Sequence, residues 1–349
     1  MINGIQQIGI GVENVELSWK WYRKHFSMDV PVFQDEAEAP LMTRYTGGSV
    51  QSRNAVLAIN LNGGSGFEIW QFTSRKTTPI PFEVQLGDIG INIVKIKSRD
   101  IASCYKTFDE SGVEILGGLN QNPRGKYHFY VKDPGGLIFE VCEHEQWFGT
   151  RRTCTGGPFG CVIGVSDMDR AMPFYGELLG YDRILLDSDA VFPDIASVPG
   201  GEHRVRRVIM EPSTPPSGIF GNVFGKSRLE LIECKERKPR KIFADRFWGD
   251  AGFIHLCFDV HDMDGLKEKC ENAGYPFTVD SGTSFDMGEA AGRFAYIEDP
   301  DGTLIEFVET HRMPIIKSLG WYLNVKKRNP KNPLPDIFIK LLGLGRVKD

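Results

Sequence analysis

The sequence predicts an α+β protein made of four βαβββ units with mixed, concave sheets. Four segments repeat one order of elements: a short apolar strand, a helix opened by acidic or polar residues, then further strands. Internal repeats of this kind determine the architecture before any single residue does. The segments are IQQIGIGVENVELSWKWYRKHFSMDV, DIGINIVKIKSRDIASCYKTFDESGVEI, GCVIGVSDMDRAMPFYGELLGYDRI and IHLCFDVHDMDGLKEKCENAGYPF. Two units also end in nearly the same text, VKDPGGLIFEV at 131–141 and IEDPDGTLIEFV at 297–308.

The elements follow in order. Side chains at i and i+2 of a strand share a face. In the opening strand, Ile8, Ile10 and Val12 oppose Gln7, Gly9 and Gly11. In the second unit, Ile89, Ile91 and Ile93 oppose Asp88, Gly90 and Asn92. In the third, Cys161, Ile163 and Val165 oppose Gly160, Val162 and Gly164. In the fourth, Leu256, Phe258 and Val260 oppose His255, Cys257 and Asp259. Each strand thus has a greasy face for its helix and a small or polar face that leaves room for a ligand.

Asp167, with Met168 and Asp169, opens a helix that Gly180 stops; Asp262 or Asp264 opens another that Gly274 stops. DPGG at 133–136 and DPDG at 299–302 are tight turns joining two strands. A carboxylate sits inside an apolar strand in every unit: Glu68 in FEIWQF, Glu140 in LIFEVC, Glu230 in LELIEC and Glu306 in LIEFVE. Buried and unpaired, each would be costly, so each needs a cation, a hydrogen-bond partner or solvent.

The repeats divide the 349 residues into 1–148 and 155–311, with RTCTGG as a flexible joint. Residues 312–349 form a basic C-terminal extension. Nine Lys/Arg against Asp336 and Asp349 make it about +7, so the remainder of a chain of net charge −5 is about −12. The expected partner of this tail is the acidic body or a second copy in a homodimer. No basic patch across the repeats points to nucleic acid. No segment is long and apolar enough for a bilayer, and the N-terminus lacks the pattern of a secretory signal. Seven scattered cysteines without a CxxC read as reduced thiols of a cytoplasmic protein.

Four such units, with polar residues on first strands and a Glu after a DPxG hairpin, resemble the vicinal oxygen chelate superfamily, which includes glyoxalase I, epimerases, extradiol dioxygenases and bleomycin-resistance proteins. The resemblance covers residues 3–310. It implies paired glyoxalase-like domains and a metal site assembled from two facing units, each giving one first-strand and one last-strand residue. The slots are filled by Gln7 and Glu68, Asp88 and Glu140, Gly160 and Glu230, and His255 and Glu306.

If each half closes on itself, His255 and Glu306 meet Glu230. If the first unit pairs with the last, they meet Gln7 and Glu68, a set in the order of the glyoxalase I ligands. We favour the second pairing, because it builds one complete set from two defective halves. Either set suits one divalent ion: Zn, Ni, Mn, Fe or Co. The chemistry implied is that of an isomerase or lyase stabilising an enediolate or enolate of a small carbonyl substrate, with Glu306 and Glu68 moving the proton.

Glutathione is not the expected substrate: the family's anchoring Arg and Asn correspond here to Gly11 and Phe72. The alternative is a non-catalytic small-molecule-binding protein of the resistance type. A dioxygenase is disfavoured, since its iron needs two His and only His255 fills a slot. Asp88 and Glu140 are expected to be structural or vestigial, and His128 to pack across strands. His25, His144, His203, His261 and His311 are expected in solvent. The aromatic-rich segments WKWYRKHF and GWYL are expected in helix packing.

Overall fold

A computed structural model describes residues 1–282, 285–286, 291–316, 320–326, 328–329 and 332–348. Lys317, Lys327, Lys331 and Asp349, counted in the tail's charge, lie outside the described residues. The first unit is β1 (Ile2–Gly11), α1 (Val15–Phe26), β2 (Val30–Glu38), β3 (Ser52–Ile59) and β4 (Gly66–Phe72). The second is β5 (Gly90–Ser98), α2 (Ile101–Glu110), β6 (Ile115–Gln121), β7 (Tyr127–Lys132) and β8 (Ile138–Glu143). The third is β9 (Thr155–Gly164), α3 (Met168–Pro173), β10 (Arg183–Ala190), β11 (Val205–Glu211), the short α4 (Gly221–Phe224) and β12 (Arg228–Cys234). The fourth is β13 (Gly252–Val260), α5 (Met263–Asn272), β14 (Val279–Asp280), β15 (Phe285–Asp286), β16 (Ala291–Glu298) and β17 (Leu304–Ile316). A hairpin strand β18 (Trp321–Asn324) and α6 (Asp336–Leu341) follow.

The sheets cross the halves of the sequence. One runs β14-β16-β17-β13-β1-β4-β3-β2 and so joins the fourth unit to the first. The other runs β10-β11-β12-β9-β5-β8-β7-β6 and joins the third to the second. Within each unit the first strand lies parallel to the last, as β1 to β4 and β13 to β17. The units of a sheet meet through antiparallel first strands, β1 on β13 and β5 on β9. The two units within one half of the sequence, which lie in different sheets, meet instead where a tyrosine of one reaches the DPxG turn of the other. Tyr22 of α1 donates to Asp133 in the DPGG turn at 2.6 Å, and Tyr175, just after α3, donates to Asp299 in DPDG at 2.8 Å. The two hairpins therefore occupy equivalent places.

One core joins the greasy faces of both sheets to the helices. It contains Ile8, Ile10, Trp19, Tyr22, Phe26, Cys161, Ile163, Leu256 and Phe258. The aromatic run WKWYRKHF is thus helix packing, as its spacing indicates. Caps are as the sequence suggests: Asp167 accepts from the amides of Asp169 and Arg170, and Asp262 caps α5.

Three expectations need correction. The alternation assigned to the second unit slips at a β-bulge between Ile91 and Ile93. Ile93 thereby joins a different cluster, with Tyr130 and Val162, while Val94 and Ile96 face the main core. Cys104 and Cys154 form a disulfide, and the other five cysteines are free and buried; the fold brings α2 against the start of β9 across fifty residues, which spacing alone does not reveal. His25 is not solvated: it is buried between Trp21 and Phe108, and burial pushes it down to about 4.

The tail packs on the body. Met313, Val325, Leu334 and Ile339 bury against Val30, Leu61 and Phe224. Arg346 pairs with Asp29, and the Val347 amide donates to the Asp29 carbonyl at 2.8 Å. Its GWYL segment enters β18, and the part-exposed Trp321 ring meets Phe338 of α6 edge to face, with 6.4 Å between centroids. No helix of the described residues is long and apolar enough to cross a membrane.

Candidate metal centre

Pairing the first unit with the fourth brings four of the singled-out residues together. Gln7 lies opposite Cys257 across the β1–β13 junction, and His255 opposite Gly9. A side chain at Gly9 could not coexist with this ring, because a Cβ there would stand 2.3 Å from His255 Cε1. Glu68 reaches in from β4 and Glu306 from β17.

His255 Nε2 is 3.1 Å from Glu306 Oε2 and 3.4 Å from Glu68 Oε2. Gln7 Nε2 donates to Glu306 at 3.3 Å and, at the long limit of 3.5 Å, to Glu68. His255 Nδ1 faces the Tyr296 hydroxyl at 3.3 Å, which leaves Nε2 to the carboxylates. One ligand atom from each of Glu68, His255 and Glu306 lies within 4.8 Å of the others.

The electrostatics are those of a cluster lacking positive charge. Burial and the neighbouring Glu306 push the Glu68 carboxyl up to about 7. Burial works against a charged His255, yet Glu306 and Glu68 outweigh it and hold the imidazole above its usual value. Burial would raise Glu306, but His255 outweighs it and holds that carboxyl low.

The residues fit a divalent ion on two counts. Gln7 Oε1 is buried without a hydrogen-bond partner among the described residues, and His255 Nε2, though 3.1 Å from Glu306 Oε2, makes no well-directed hydrogen bond, an expensive condition for a buried polar atom. The donor set of one imidazole, two carboxylates and an amide, whose oxygen and nitrogen exchange places by a half-turn, suits a metal of middling hardness.

A cavity of about 80 Å³ opens onto Glu68 and Glu306. Its other walls include Met42, Trp70, Trp248, Phe294 and Tyr296. Arg53 also lines it, but that guanidinium is committed to Asp35.

A family model described as the Glyoxalase/Bleomycin resistance protein/Dioxygenase superfamily matches residues 4–141 and 159–307. The chain belongs to this superfamily. Its members are typically metal-dependent isomerases, lyases or dioxygenases. Among solved structures, a putative dioxygenase from Bacillus subtilis is similar at a TM-score of 0.58 and 15% identity, covering 88% of this chain and 85% of that one. A glyoxalase I mutant from Zea mays is similar at a TM-score of 0.53 and 13% identity, covering 88% and 92%. These identities speak for the fold alone. No curated protein matches the sequence.

The other slots of the superfamily pattern behave differently. Glu230 is far from His255 in the architecture, on β12 of the other sheet, where it accepts from Arg207 at 2.6 Å. Asp88 is not in a slot at all. It precedes β5 and accepts from Arg237, the Gln85 amide and the Arg240 amide. Register assigns its place to Ile93, which pairs with Ile138 on β8 as Gln7 pairs with Gly66 on β4. Gly160 lacks a donor and cannot be given one, since a Cβ there would stand 1.7 Å from the Arg228 carbonyl oxygen.

Sequence reasoning missed Lys95, Arg207 and Asp194, which complete a buried ion network with Glu140 and Glu230. His128 belongs to it too, with Nδ1 2.7 Å from Glu140 Oε1. The available signal was a lysine inside the apolar run NIVKIK, which needs a partner as much as a glutamate does. Replacing Arg207 by Ala leaves the buried Asp194 without its guanidinium and Glu230 with Lys95 alone, and is expected to destabilise the fold by about 3–5 kcal/mol in denaturant unfolding.

The pH response of the metal-free protein follows from Glu68. Its folded value lies above the unfolded one of 4.5, so its contribution to stability is full at low pH and is lost as pH rises through about 7. His255, also raised, acts in the same direction. Chelated protein is therefore expected to melt lower at about pH 8.5 than at about pH 5.5. A divalent ion should remove that difference. Thermal unfolding at the two pH values, with chelator and with added Mn²⁺, measures it.

Proposed function

We propose that the chain is a metal-dependent isomerase or lyase that moves a proton on a carbon next to a carbonyl in a small substrate without a glutathione arm. The observation that carries this reading is the meeting of Glu68, His255 and Glu306, with Gln7 beside them, where Glu68 and Glu306 line a cavity and His255 lies buried behind them. These four would hold the ion, which supplies polarisation of two neighbouring substrate oxygens.

The protein's own groups supply the rest. Glu68 and Glu306 both face the cavity, so either carboxylate can take the proton and return it. Their different surroundings favour different protonation states, Glu68 readily protonated and Glu306 held as the anion. Met42, Trp70, Trp248 and Phe294 wall the cavity with apolar surface and limit water at the reacting carbon. Arg53, already paired with Asp35, adds no free charge for an anionic substrate. A neutral substrate with an apolar or aryl group beside vicinal oxygens fits this lining.

Deuterium exchange tests the reading. Wild-type protein loaded with each of Zn²⁺, Ni²⁺ and Mn²⁺ is incubated in D₂O with small aliphatic and aryl α-hydroxy- and α-ketoaldehydes. Deuterium entering the carbon beside the carbonyl is the expected result. Tight binding of aryl ligands by metal-free protein, with no exchange in any metal form, would establish the resistance-type reading instead.

A further inference from the structure

The second pair of units keeps two glutamates in the slots of a metal site and yet puts them to another use. Register aligns the pairs residue by residue. Glu140, opposite Lys95 on β5, matches Glu68, opposite Gly9 on β1. Glu230, opposite Val162 on β9, matches Glu306, opposite Cys257 on β13. Across the unit junction, Lys95 faces Gly160 as Gly9 faces His255.

The two positions are therefore exchanged in character. Where the first pair has a glycine that makes room for an imidazole, the second has a lysine whose side chain crosses an opposing glycine. Lys95 Nζ touches Glu140 Oε2 and lies 2.8 Å from Glu230 Oε2. One charged group thus sits between carboxylates of two units, as the nitrogen of His255 sits between Glu68 and Glu306.

We propose that the Lys95 ammonium is a built-in cation standing where a divalent ion would bind in the second pair, so that this pair is a metal site closed by its own side chain. Charge supports it. Glu140, Glu230 and Asp194 are all buried, and among the described residues Lys95 and Arg207 are the lysine and arginine paired with them. Burial works against a charged Lys95, but Glu140 and Glu230 outweigh it and hold the ammonium above its usual value. Burial would raise Glu140 as well, and Lys95 outweighs it and holds that carboxyl well below its usual value.

Packing supports it too. The concave face around Lys95 is filled by Leu86, Ile93, Tyr130, Val162, Phe192 and Ile195. The equivalent face of the first pair opens to a cavity at its glutamates. Removing the ammonium leaves three carboxylates and the His128 ring against Arg207 alone. That is an oxygen-rich set with an excess of negative charge, which suits a hard or borderline divalent ion.

The test counts ions. Wild-type and Lys95→Ala proteins are dialysed against Mn²⁺ and the manganese per chain is measured. The variant is expected to hold one more ion than the wild type, whatever the wild-type count. Folded Lys95→Ala protein with an unchanged count overturns the proposal. Should the variant be unfolded without metal, millimolar Mn²⁺ is expected to restore its fold, since the ion takes the place of the ammonium. A variant that stays unfolded in Mn²⁺ overturns the proposal equally. A wild type without manganese and a variant with one ion would remove the His255 site and leave this inference standing.

Discussion

Replacing His255 by Ala is expected to strip the protein of its metal and of its activity together. In the proposed set with Gln7, Glu68 and Glu306 the imidazole would be the one nitrogen ligand, and it is fully buried. Loss of a mere hydrogen-bonding partner of a ligand typically costs about 10–100-fold in metal affinity, so loss of the ligand itself is expected to cost at least ~100-fold. Metal per chain, measured after dialysis, should fall to a small fraction of the wild-type value. The fold is expected to survive, because the ring lies over Gly9 and its removal deletes no hydrogen bond of the sheet. Unchanged stoichiometry in a folded His255→Ala protein would refute the site.

The second large effect is expected at the carboxylates. Glu306→Gln keeps the shape and one oxygen but removes the anion that accepts a proton. Deuterium exchange at the substrate carbon should slow by about 10²–10⁴-fold, the usual contribution of a positioned base. Glu68→Gln should separate the two roles. If Glu68 is the proton carrier, its variant loses exchange while retaining metal; if it serves only as a ligand, metal and exchange decline in proportion. A Glu306→Gln protein that exchanges at the wild-type rate, with full metal, would exclude Glu306 as the base.

Much of this was legible in the sequence, and the reasons are physical. Periodicity of two placed Ile8, Ile10, Leu256 and Phe258 on the core side and Gln7 and His255 on the concave side. The repeats gave the unit order and the two equivalent DPxG turns. The choice between Glu68 and Glu230 as neighbours of His255 rested on a defect, the missing side chain at Gly160, and the architecture pairs the units accordingly.

The remainder depended on contacts that sequence does not encode locally. A bulge at Ile91–Ile93 shifts the face of every later residue on β5, so Asp88 was assigned a slot that belongs to Ile93. The same shift hid Lys95, whose significance needs Glu140 from β8 and Glu230 from another unit. Cys104 and Cys154 meet only because α2 packs against the start of β9. His25 ends a helix, where solvent is the usual surrounding, but Trp21 and Phe108 cover it.

Anomalous diffraction from crystals grown with Mn²⁺ tests the central claim most directly. The account predicts one strong peak per chain between Glu68, His255 and Glu306, with their ligand atoms and the Gln7 oxygen at about 2.0–2.3 Å. No peak is predicted between Glu140 and Glu230, where Lys95 stands. A peak coordinated by Glu230, or a crystal saturated with manganese whose Glu68–His255–Glu306 cluster scatters no anomalous signal, would contradict it.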